Sequence, residues 1–81
     1  MKPGKLCVVL DEDWPERLES LFDDDLGWPD STRVKKGSVV MFIRNIPELD
    51  DRLCVIRIPD EEGEWVTEKA CLVALDDYAD I

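Results

Sequence analysis

Apolar residues enter this chain in short dense runs, each closed off by a polar turn. "KLCVVL", residues 5–10, follows Pro3-Gly4 and is rich in β-branched side chains. That length and composition predict a buried first strand. "SVVMFIR" at 38–44 and "RLCVIRI" at 52–58 are the next runs, separated by the turn "PELDD" at 47–51. Both are apolar at nearly every position. Strands of that kind are covered on both faces or strongly curled, as in a small closed barrel. "PDEEGE" at 59–64 is a turn centred on Gly63, and "EWVT" at 64–67 is a short fourth strand that places Trp65 in the core. "EKA" at 68–70 has the length of one 3₁₀ turn. "CLVAL" at 71–75 closes the series, and "DDYADI" at 76–81 reads as a fraying acidic tail.

A long excursion, residues 11–34, separates the first two strands. Pro15 suits the first position of a helix. Asp11, Glu12, Asp13 and Glu16 suit its positive end. Leu18, Leu21 and Phe22 then form one apolar stripe. These signals predict a helix over about 15–22, stopped by Asp23-Asp24-Asp25. "LGWPDST" at 26–32 is turn material.

The element order from "KKGS" at 35–38 onward resembles the SH3-like barrel. Such domains have a first strand, a long excursion, a diverging turn, two paired strands, a short fourth strand, a 3₁₀ turn and a closing strand. The resemblance implies a mainly β fold: a five-stranded SH3-like barrel with a long, partly helical first loop, all in a single domain, 1–81. It covers about sixty residues and rests on pattern. SH3 domains that read proline-rich peptides carry an aromatic pair in the first loop, a Trp opening the third strand, and a Pro and Tyr around the 3₁₀ turn. Here Asp11–Asp13, Arg52, Thr67 and Ala70 stand at those places. A polyproline helix docks on aromatic ridges, which these residues cannot form. The resemblance therefore implies the scaffold without that ligand, with Val40 and Phe42 as core residues of its second strand.

Charge changes the picture next. Twenty acids against ten bases give a net −10. The imbalance is uneven: −6 over 1–32, +3 over 33–57 and −7 over 58–81. A field of this sign repels nucleic-acid backbones and anionic membranes, and attracts a basic protein surface. In the basic middle, Arg33, Lys35, Lys36, Arg44, Arg52 and Arg57 are expected to pair with neighbouring acids. An alternative is homo-oligomer formation, the basic strip of one copy meeting an acidic lobe of the next.

Candidate chemistry is sparse. The chain has no histidine, and its three cysteines form no CxxC pair. A disulfide framework, a zinc site and a histidine base are all disfavoured. Cys7, Cys54 and Cys71 each sit in an apolar run, as buried thiols of a reducing, cytoplasmic setting do. No secretory leader is apparent, and no apolar stretch approaches membrane-spanning length. An EF-hand loop begun at Asp23 fails, with Trp28 where Gly is needed and Val34 where Glu is needed. No catalytic residue, metal or cofactor is expected.

The residues expected to contact a partner are Trp14 and Trp28 with Asp11, Asp13, Asp23, Asp24, Asp25 and Asp30. Two uses compete for the tryptophans: presentation to a ligand, or folding the excursion down over the small core. The leading expectation is a non-catalytic protein-interaction module or small accessory protein, binding through its acidic surface and loop aromatics. One alternative is a DNA-mimicking acidic inhibitor of the kind phages and mobile elements carry, whose acids should line one face at about 7 Å, the spacing of phosphates along a strand. Another is a reader that cages methylated lysine or arginine between aromatics and acids, as Tudor-like relatives of the barrel do.

Overall fold

The computed structural model describes residues 2–21 and 30–78. Six strands form one antiparallel sheet: β1 (Leu6–Val9), β2 (Glu16–Arg17), β3 (Val39–Asn45), β4 (Leu53–Arg57), β5 (Trp65–Glu68) and β6 (Leu72–Ala74). Their order is β2-β5-β4-β3-β1-β6. Helical turns α1 (Leu18–Leu21) and α2 (Leu75–Tyr78) are four residues each, and a 3₁₀ turn spans Lys69–Cys71.

One cluster gathers Cys7 and Val9 of β1, Val40 and Phe42 of β3, Cys54 and Ile56 of β4, Trp65 of β5 and Leu72 of β6, with Val34 from the excursion. Five strands reach one cluster, so the sheet bends around it. A second cluster lies on the other face of the β3-β4-β5 meander. It holds Ile46, Val55 and Val66, packed against Leu18 and Leu21 of α1 and against Ile43 and Leu53. Cys54, Val55 and Ile56 are therefore buried in succession, facing alternate clusters. Strand β4 is covered on both faces, as its uniform apolar run predicts. Strand β3 is different: its first four residues alternate exposed and buried, and Val40 and Phe42 are the buried pair.

A β-bulge reconciles the two clusters. Phe42 pairs with Ile56, but Arg44 pairs with Val55, so Ile43 is an extra residue. An extra residue reverses which face the following side chains take. Ile46 consequently joins the second cluster instead of the first.

The Lys35–Ser38 turn forms as expected. Ser38 N–H donates to Lys35 C=O at 3.1 Å, and Gly37 adopts φ +88°. That dihedral requires glycine.

Three expectations need correction. The sheet has six strands, not five, because Glu16–Arg17 pairs with Val66–Trp65 of β5. The helix covers only Leu18–Leu21 instead of 15–22, since that pairing holds Glu16 and Arg17 extended; Phe22 lies outside the described residues. The start of the C-terminal tail is helical, with Asp76 bonded to Lys5 Nζ at 2.7 Å.

Candidate functional site

The excursion folds back as a two-stranded arm. Asp13 and Val34 exchange backbone hydrogen bonds of 3.0 and 2.9 Å, and Glu16 bridges Ser31. Buried Ser20 ties its base, donating to Arg17 C=O at 2.8 Å and accepting from Asp30 N–H at 3.0 Å. Arg17 clamps the arm to the sheet. Its guanidinium lies 4.6 Å over the Trp65 ring, donates to Glu62 C=O at 3.0 Å and pairs with Asp30 at 3.4 Å. Pro15, fully buried, and the two leucines of α1 supply the coverage that Trp14 does not.

Trp14 is left presented, 58% exposed, between buried Pro15 and half-buried Asp13. It walls a groove of about 410 Å³. Leu21, Leu53 and Val66 give this groove an apolar floor, and Leu49 and Asp50 form the facing wall from the 46–52 turn. Glu16, Thr67 and Glu68 complete it. Trp14 and Glu68 both line it, each two residues beyond the Glu16–Val66 pair that ends the β2–β5 ladder.

The four carboxylates of the groove are not equivalent. Asp13 accepts a hydrogen bond from the buried Thr67 hydroxyl, so it is committed internally. Asp50 accepts from Arg52 N–H at 2.8 Å and from its guanidinium at 3.2 and 3.1 Å. That guanidinium holds the Asp50 carboxyl below the usual carboxylate range. Glu16 and Glu68 belong to none of the five ion pairs among the described residues. They are the charges available to a ligand.

Of the other expected contact residues, Asp11 is exposed and caps Glu12 N–H at 3.0 Å, outside the groove lining. Asp30 is spent on Arg17. Trp28, Asp23, Asp24 and Asp25 lie outside the described residues. Glu16, Glu68, Asp50 and Leu49 escape sequence reading, since only the β2–β5 pairing brings the two glutamates together. The alternation in "EWVTE" carried the one available signal, placing Val66 and Glu68 on the face opposite Trp65 and Thr67.

Burial pushes the thiols of Cys7 and Cys71 up, and that of Cys54 up to about 11. A thiol raised this way is protonated at neutral pH and a poor nucleophile. Among the described residues no group of three or more Cys, Asp or Glu is placed to hold a metal, and no helix is long and apolar enough to cross a membrane. The chain matches no family model, no curated protein and no solved structure.

Proposed function

We propose that this chain is a non-catalytic protein-interaction module, built as an SH3-like barrel, that takes a basic segment of another protein into the groove beside Trp14. The observation that carries the reading is the groove itself: a presented indole and two uncommitted glutamates above an apolar floor. A lysine or arginine over the indole gains cation–π attraction, and its aliphatic stem covers the leucines. The surrounding negative field steers a basic partner inward.

Support for the barrel comes from pairing. Strand β1 joins both β3 and the last strand, β6; β3, β4 and β5 form a meander; and a 3₁₀ turn links β5 to β6. The excursion returns as an arm over the sheet, where the groove opens.

Affinity capture from a lysate of the source organism tests the reading. The wild type should retain a protein with a basic segment, less of it as salt rises. Trp14→Ala and Glu68→Lys should each weaken retention about tenfold or more. Retention unchanged in both variants, or no partner at low salt, would sink the proposal.

A further inference from the structure

A second surface shares no residue with the groove. Leu6 pairs with Met41, and Met41 pairs with Arg57, which sets the three abreast across β1, β3 and β4. In the next row Val8 lies between Val39 and Val73. Residues two apart on a strand share a face, so the rows form one layer. One residue past the Cys7–Ala74 pair, Leu75 opens α2 at the edge of this face. Val8, at the centre of this layer, is itself buried by its neighbours, while Leu6, Val39, Met41 and Leu75 are 44%, 38%, 37% and 38% exposed. Single exposed apolar residues are ordinary, but a contiguous patch marks an interaction site.

The margin of the patch says what fits it. A hollow of about 320 Å³ at Leu6, Val39 and Met41 ends at Arg57 and Glu61, one charge of each sign. Arg57 takes no part in the five ion pairs among the described residues, and exposed Glu61 accepts one hydrogen bond, from the Thr32 hydroxyl to its Oε1 at 3.2 Å, which leaves Oε2 to meet a cation. At the hollow's end of the patch, one cation and one anion make the margin complementary to itself; at the Leu75 end, Asp76 is paired with Lys5. Across a two-fold axis residue i meets j and j meets i, so Arg57 of each copy can face Glu61 of the other while the apolar rows meet. On a chain of net −10 this balanced margin also brings two copies together with less repulsion than an acidic face would. We propose that the β6-β1-β3-β4 face pairs two copies of this chain as a symmetric dimer.

The dimer is weak. Four strands about 4.8 Å apart give a patch roughly 15–20 Å wide. That is on the order of a few hundred Å² per copy, against about 800 Å² in a standard stable interface. A dissociation constant between about 10 μM and about 1 mM follows.

Sedimentation equilibrium across that range, at about 0.15 M and about 0.5 M salt, tests the proposal. Salt screens the self-repulsion of the copies, so the dimer should strengthen as salt rises, opposite to the groove's basic partner. Met41→Glu should weaken it about tenfold or more. Arg57→Glu and Glu61→Arg should each weaken it, and the two together should restore it. Trp14→Ala should leave it unchanged, and circular dichroism should show every variant folded. A monomer at about 1 mM, a dimer indifferent to Met41→Glu, or no recovery in the double charge reversal would each overturn the proposal. A monomer that still retains a basic partner through Trp14 would refute the dimer and leave the groove reading standing.

Discussion

Replacing Gly63 by alanine separates a backbone cost from a contact cost within one small domain. Gly63 and Gly37 both sit at positive φ, +86° and +88°. An L-residue in the left-handed region costs about 1–2 kcal/mol, partly offset by the roughly 0.4–1 kcal/mol that alanine gains by restricting the unfolded chain. A Cβ at Gly37 meets open space, so Gly37→Ala should cost about 1 kcal/mol from the backbone alone. A Cβ at Gly63 would lie 2.9 Å from Arg17 Nη1, which must move away. That nitrogen donates to Glu62 C=O, and its guanidinium covers Trp65. Losing the hydrogen bond costs about 0.5–1.5 kcal/mol, and weakening a partly exposed cation–π contact about 0.5–1 kcal/mol. The Asp30 pair adds little, since Asp30 is mostly exposed. Nη1 is the far end of a flexible side chain and gives way at part of that cost, so Gly63→Ala should cost roughly 0.5–1 kcal/mol more than Gly37→Ala. Urea unfolding reads both, as a lower midpoint at unchanged slope. In an Arg17→Ala background the excess should vanish, which a double-mutant cycle measures. Equal losses at the two glycines, or an excess that persists without Arg17, would refute the clamp.

Two further outcomes follow from the packing. Adjacent residues of β3 should respond oppositely to alanine: Phe42→Ala should cost about 3–5 kcal/mol and Met41→Ala within about 0.5 kcal/mol in urea unfolding, and similar losses would contradict the alternation. The thiol of Cys54 ionises near 9 when free and about 11 in the fold, so between those values the unfolded chain releases a proton that the native chain keeps. Stability should fall as pH rises through that window, by roughly 2–3 kcal/mol at about 1.4 kcal/mol per unit, and Cys54→Ala should flatten this alkaline slope; an unchanged slope would count against burial as the cause.

A mainly β chain was legible because its apolar runs are strand-length and its turns carry Gly and Pro. Val40 and Phe42 are buried as the barrel resemblance implied, and Trp65 is buried with them. The excursion was harder to read. Among the described residues its helix begins at Leu18 instead of residue 15, because β5 offers Glu16 and Arg17 an open edge, and strand pairing outcompetes the first turn of helix. Trp14 followed the same logic: Pro15 fills the space beneath, so the indole is free to stand out. The groove was half legible. Trp14 and Asp13 were among the expected contact residues, but Asp13 is held by Thr67, and its place is taken by Glu16 and Glu68. No local pattern joins two glutamates that far apart in the chain; only the pairing of an excursion with a distant strand does.

The two-sided burial of β4 leaves an ambiguity that the sheet must settle elsewhere. Slipping a strand by one residue normally throws its apolar set into water and is strongly penalised. With Cys54, Val55 and Ile56 all buried, a slipped β4 would still bury apolar side chains on both faces, so greasiness alone barely distinguishes right from wrong alignment. The discriminating information lies at the polar ends. Asp50 fixes where the strand begins, accepting from Arg52 N–H with its side chain and from Leu53 N–H with its backbone. Arg57 must emerge beside Met41 at the other end. In this sheet the apolar residues supply cohesion, and a few charged residues at the strand ends supply the alignment.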